Sequence, residues 1–319
     1  MQASLAPYGR VELESDMMKK TEFTIRKDNS SMSLWFILAL LSSLTFGLAG
    51  FLMKVSSVKK GDHDFLLWGL YLTGSLGFLW WMVKTRDMDF SCTVLIAGVI
   101  VGIGSAFGNL LFMKALDIGP ASLTSPVVNG NIVLMIGMSM LIYGETITVS
   151  ETAGVALLVI AMMILPVDPN ESLKIRNKRW YALVFITMLL FFFRNGGLKI
   201  TEEMHLSGTS ILFVSYVFGF FWFTFQIFHR KLQIPSLVSS VRFRTGVFWG
   251  LAAGIFSFAG MQLYAVALNQ GPATLIAPIF STNSLVVALL SILIYREQLS
   301  LFQTLSLILL FSGLILIRI

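Results

Sequence analysis

The sequence predicts an all-α, polytopic membrane protein of ten transmembrane helices, arranged as two inverted five-helix repeats. Three observations carry this expectation: an apolar excess, the length of the apolar runs, and a polar pattern that occurs twice. Of 319 residues, 56% are hydrophobic and 13% charged, with a mean hydropathy of +0.80. A water-soluble chain of that composition would expose large apolar patches. Here the apolar residues gather in runs of about 20, the length that crosses a hydrocarbon core of roughly 30 Å at 1.5 Å per residue.

Taken in order, the runs fall at about 33–53, 65–83, 93–113, 121–143 and 148–166, then at about 180–200, 208–228, 245–267, 273–295 and 299–317. Residues 1–31 form a polar tail with no apolar core of a signal peptide, and "ELESD" within it argues against a transit peptide. The most polar interior stretch, "VDPNESLKIRNKR" at 167–179, reads as a linker. The chain thus divides into the tail, a first repeat at 32–166, the linker, and a second repeat at 180–319. Connections such as "YGETI" are too short to hold a soluble domain.

The formal charge of +6 does not point to nucleic acid, because the basic residues sit between apolar runs, facing loops and lipid headgroups. Cys92 is the single cysteine, which rules out an intrachain disulfide or a cysteine metal cluster. His63, His205 and His229 are scattered, and neither HExxH nor GxSxG occurs. "GIGSAFG", starting at Gly102, misses the dinucleotide spacing and lies inside a span. No enzyme activity, cofactor or metal is expected. The expected partners are a small-molecule substrate and the lipid bilayer, with a homodimer left open.

The repeat is ungapped over its best stretch. A shift of 152 places Gly98 on Gly250, Gly102 on Gly254, Gly119-Pro120-Ala121 on Gly271-Pro272-Ala273, Pro126 on Pro278, Asn131 on Asn283, Tyr143 on Tyr295 and Glu145 on Glu297. A weaker echo at a shift of 145 pairs Trp35 with Trp180 and Lys54 with Lys199. Because five is odd, the second unit enters the bilayer from the side opposite to the first, which makes the repeats inverted. The segments "ALDIGPASLTSPVVNGNIVLMIGMSMLIYGETITVSETAG" and "ALNQGPATLIAPIFSTNSLVVALLSILIYREQLSLFQ" resemble the paired signature of the drug/metabolite transporter superfamily, in its EamA-like ten-helix branch. The resemblance covers nearly everything after the tail. It implies a secondary transporter working by alternating access, in the cell membrane, with substrates ranging from amino acids to drugs and nucleotide sugars.

Gly119 and Gly271 suit helix C-terminal caps, and Pro120 and Pro272 suit the first helical position. Pro126 and Pro278 lie almost two turns further in, freeing the carbonyls of Ser122 and Thr274. The reading is a hinge beside the substrate path, against a static kink satisfied by those two hydroxyls. Asn129, Asn131 and Asn283 must face the interior, as interhelical glue or as substrate contacts. The glycine-rich faces of the third and eighth helices, which also carry Ser105 and Ser257, favour close packing, with Asn109 and Tyr264 the members able to project into a cavity.

Among ionisable groups, Lys54 and Lys199 are expected to snorkel to the headgroups, with a place on the substrate path as the alternative. Arg194 lies deep in "FFFRNGGLKI", and an intramembrane charge is a functional candidate. No Asp or Glu falls near the middle of a span, which disfavours export of organic cations and favours a neutral, zwitterionic or anionic metabolite. Glu145 and Glu297, at helix ends, are expected to cap a helix or pair with a basic residue. An exporter of amphiphilic drugs and a non-transporting scaffold are the alternatives. The charge count, with about eight basic residues on the side of the termini against about thirteen opposite, places the termini outside, whereas the resemblance implies cytosolic termini.

Overall fold

In hydrocarbon a chain must satisfy its own backbone N–H and C=O groups, and each apolar run does so as a helix. The computed structural model describes residues 34–118, 124, 127–164, 177–233, 241–295 and 301–318. Its helices are α1 (Leu34–Val58), α2 (His63–Thr85), α3 (Cys92–Ile118), α4 (Asn131–Tyr143), α5 (Val149–Ile164), α6 (Arg179–Glu203), α7 (Gly208–Gln233), α8 (Val241–Leu268), α9 (Ala273–Ser281), α10 (Asn283–Tyr295) and α11 (Leu301–Arg318). Among the described residues there is no strand. Six helices, α1 to α3 and α6 to α8, are long and apolar enough to cross a bilayer alone, and the other four spans are shorter apolar helices. The protein is a multi-pass integral membrane protein. Gly119, Pro120, Ser122, Pro126 and Glu297 lie outside the described residues.

The fourth and ninth spans are each interrupted. Before α4 the N–H of Gly130 turns back to the Val127 carbonyl at 3.0 Å, and between α9 and α10 the N–H of Thr282 turns back to the Ile279 carbonyl at 3.1 Å. Both atoms of one bond sit 152 positions from those of the other, so the two breaks are equivalent. Neither falls at a proline. Pro278 lies inside α9, where every residue is buried, and the break comes four residues later. There the Thr282 hydroxyl donates to the Ile279 carbonyl at 2.7 Å and pairs with Ser43 Oγ of α1 at 2.7 Å, drawing the backbone into a local turn.

Two end expectations are corrected. Gly271 does not adopt a left-handed conformation; a Cβ there would stand 2.5 Å from Cγ of Trp35, so the glycine is needed for close approach of the indole. Pro272, with φ −71 and ψ 132, is the residue just before α9 and not its first helical residue. The glycine that does turn left-handed is Gly144, at φ 66, where it ends α4.

The helices pack as a pair of interlocked halves. α2 lies on α7 and α8, α3 on α6 and α7, and α5 on α11. The pairs α2–α8 and α7–α3 exchange when the repeats exchange, as an approximate two-fold axis requires. Gly98 and Gly102 of α3 rest on the Ile211 and Ser215 carbonyls of α7, each 3.1 Å from where a Cβ would stand. Gly250 and Gly254 of α8 rest in the same way on the Leu66 and Leu70 carbonyls of α2. The small-residue faces are therefore packing surfaces, where backbones approach closely without the help of a hydrophobic effect.

Gly250→Ala is expected to destabilise the protein by about 1–3 kcal/mol, because the new methyl meets a carbonyl that belongs to a neighbouring helix backbone. Gly137→Ala is the matched control. No atom lies within 4 Å of its Cβ position, so it should be neutral or stabilising by up to about 1 kcal/mol. Thermal midpoints of the two purified variants check the contrast.

Candidate functional site

The axis between the halves is occupied by aromatic rings. Tyr71 of α2 and Tyr216 of α7, 145 positions apart, meet edge to face with centroids 5.3 Å apart. Each fits because the other's helix offers a glycine: Gly219 faces the Tyr71 ring and Gly74 the Tyr216 ring. The Tyr71 hydroxyl shares a hydrogen bond with Ser105 Oγ at 2.9 Å, and the Tyr216 hydroxyl one with Ser257 Oγ at 2.6 Å. The serines are 152 positions apart, so the two bonds are copies of one another. Fully buried hydroxyls need such partners.

Phe46 and Phe191 are a second equivalent pair, facing Gly260 and Gly108 respectively. Between them lies Arg194, only 6% exposed, with its guanidinium carbon 4.4 Å from the Phe191 ring centre and 5.5 Å from that of Phe46. Its Nε donates to Asn195 Oδ1 at 3.0 Å. Asn195 Nδ2 in turn donates to Asn131 Oδ1 at 3.1 Å, and Asn131 Nδ2 to the Val128 carbonyl at 2.8 Å. Among the described residues Arg194 has no acidic partner. The position that matches it in the first repeat is Ala49, so the charge breaks an otherwise two-fold arrangement.

The other candidates divide clearly. Tyr264 is fully buried, packs against Phe280 in a tilted pair with centroids 4.2 Å apart, and among the described residues donates only to Met135 Sδ at 3.4 Å, a weak acceptor. Asn109 donates to the Tyr71 oxygen at 3.1 Å and so supports the tyrosine pair. Asn283 donates to the Phe280 carbonyl at 2.7 Å, while Asn129 is half-buried and outside this network. The Thr274 hydroxyl is buried without a partner among the described residues, so it does not satisfy a carbonyl freed by Pro278.

Lys199 corrects the expectation of snorkelling. It is buried, and its ammonium meets Glu145 at 3.1 Å, Glu202 at 3.2 Å and Glu203 at 2.5 Å. Glu145 also accepts from the backbone N–H groups of Ala273 at 3.1 Å and Thr274 at 2.9 Å. It thereby caps α9 across the repeat boundary, where the helix dipole favours a carboxylate. Lys54, the counterpart of Lys199, is exposed and away from the centre. Two cavities, of about 480 and 240 Å³, lie beside Lys114 and Arg179 and beside Ser207 and Gln262, away from Arg194. No metal-binding cluster occurs among the described residues.

The tyrosine pair and the break at Gly130 and Thr282 were not singled out from sequence, and Ser105 and Ser257 were read only as members of packing faces. A signal was present, since the shifts that pair Lys54 with Lys199 and Gly98 with Gly250 also pair Tyr71 with Tyr216 and Ser105 with Ser257.

The model of the EamA-like transporter family matches the chain twice, over residues 33–167 and 178–319. The chain belongs to this family. Within an EamA-like transporter, the duplicated contacts around Tyr71 and Tyr216 are the meeting surface of the two repeats. A protein of known crystal structure superimposes with a TM-score of 0.67 at 15% identity, covering 87% of this chain and 95% of its own, which shows a shared fold. No curated protein matches the sequence.

Proposed function

We propose that the protein is a secondary transporter of a small polar metabolite, neutral, zwitterionic or anionic, which is held at Arg194 between the repeats and released by alternating access. The observation that carries this reading is the buried guanidinium, which has no acidic partner among the described residues. A lone charge in a bilayer is costly, and a ligand that arrives and leaves is one way to balance it. Inverted repeats supply two related conformations that expose a midplane site to opposite sides. On the face where α1 begins, the Glu145 bonds to Lys199 and to the start of α9 tie the halves together and act as the gate of that side. Catalysis forms no part of this reading.

Export of amphiphilic drugs is the second reading. It is favoured by the rings of Phe46, Phe191, Tyr264 and Phe280 around the centre. Both readings face the same test. Proteoliposomes holding the purified chain should show saturable uptake of at least one amino acid, sugar, nucleotide derivative or organic acid, accelerated by the same compound inside. Uptake of none of these, with export of amphiphilic dyes instead, would favour the drug exporter; no transport of either kind would leave a membrane scaffold.

A further inference from the structure

We infer that the central site takes a monocarboxylate with an apolar or aromatic body, an assignment of substrate class that rests on the transport reading above. Charge and hydrogen-bond capacity at the centre lead to it.

The charge is a single positive one. Arg194 is the buried cation there, and the other buried cation among the described residues, Lys199, already meets the carboxylates of Glu145, Glu202 and Glu203. A phosphate monoester carries about −1.5 to −2 at neutral pH and would leave close to one negative charge unbalanced beside Arg194. An α-amino acid brings an ammonium that needs an acceptor of its own, and among the described residues no carboxylate pairs at Arg194. A carboxylate alone balances the site.

The charged hydrogen-bonding groups left unengaged at the centre are donors; Asn109 Oδ1, which accepts no bond among the described residues, is an uncharged acceptor and does not balance an ammonium. Asn131, Asn195 and Asn109 are engaged with one another, with the backbone or with Tyr71, and the Tyr71 and Tyr216 hydroxyls are engaged with serines. The Nε of Arg194 is spent on Asn195, which leaves both terminal nitrogens without a partner among the described residues. Two parallel N–H groups at one edge of a guanidinium match the two oxygens of a carboxylate. The Asn195–Asn131 chain fixes the other edge, so the fork is held in place before a ligand arrives. Around it stand Phe46, Phe191 and Phe280, which offer ring faces and no polar atoms to the rest of the ligand.

A series of one shape and four charge patterns tests this. The full chain in lipid nanodiscs, in chloride-free buffer, is titrated with labelled phenylacetate in competition with phenylacetamide, phenylalanine and phenyl phosphate. Phenylacetate is expected to bind, and each competitor to displace it at least about tenfold more weakly than unlabelled phenylacetate does, in line with a charge-assisted pair replaced by a neutral or mismatched one. Arg194→Gln should abolish that preference, and Arg194→Lys, which keeps the charge and loses the fork, should weaken it. Equal displacement by the amide, the zwitterion or the dianion, no binding of phenylacetate, or a preference that survives Arg194→Gln would overturn the assignment. The wild-type series decides even if a variant does not fold. Saturable transport of a neutral or zwitterionic metabolite that is lost in Arg194→Gln would defeat this inference and leave the transporter reading standing; no saturable transport of any solute would remove both.

Discussion

Replacement of Lys199 by methionine is expected to destabilise the protein by about 3 kcal/mol. Methionine keeps the bulk of the chain but strands Glu145, whose side chain is 13% exposed, beside Glu202 and Glu203 with nothing to balance three carboxylates. Removing one partner of a buried pair costs more than the pair itself is worth, since the remaining charge stays desolvated. Glu203 is more than a third exposed, so water screens its share and the larger part of the loss belongs to Glu145. Glu145→Gln should cost less, about 1–2 kcal/mol, because the amide oxygen still accepts from an N–H at the start of α9. The double variant Lys199→Met/Glu145→Gln should fall short of the sum, since each change removes part of what the other disturbs. Thermal midpoints of the three purified proteins measure this. A Lys199→Met protein as stable as the wild type would mean that the cluster holds nothing together.

That cluster also shows where sequence reasoning reached its limit. The apolar helices and the repeat were legible because hydrophobic length and duplicated Gly, Pro and Glu are one-dimensional signals. Membership of the EamA-like family agrees with them. Lys199 was not legible, because a lysine near a helix end can reach water or fold back onto acids, and only the position of Glu145 across the repeat boundary decides between these. Gly271 looked like a cap because it precedes a proline, yet its constraint is the Trp35 ring, which is distant in the chain. Pro278 was read as a hinge or a kink, yet it lies inside α9 and the turn sits at Thr282 and its equivalent Gly130, where a hydroxyl bond to the backbone or the absence of a side chain loosens the helix. Tyr71 and Tyr216 were invisible as single aromatics in apolar runs. Their meaning comes from the pairing of two shifts, one for each of two helix pairs.

Replacement of Arg194 by alanine is expected to separate stability from transport. Truncating one partner of a buried, hydrogen-bonded charge pair costs about 2–5 kcal/mol in binding, so apparent affinity for the transported solute should fall by about thirtyfold to several thousandfold. Folding should respond in the opposite sense. Without its ligand the wild-type chain keeps a desolvated guanidinium that no acid balances among the described residues, and alanine removes that penalty. Alanine also deprives Asn195 of one donor, a loss of about 1 kcal/mol that the removed desolvation outweighs. The ligand-free variant should therefore melt at or above the wild-type temperature while uptake in proteoliposomes collapses. A charge retained at a cost to the empty protein marks a group kept for what it binds, in line with the general conflict between stability and activity at functional sites. A lower midpoint with unchanged uptake would make Arg194 a structural strut between α6 and its neighbours. Ala49, which fills the matching position of the first repeat without a charge, already shows that the helix packing there does not require an arginine.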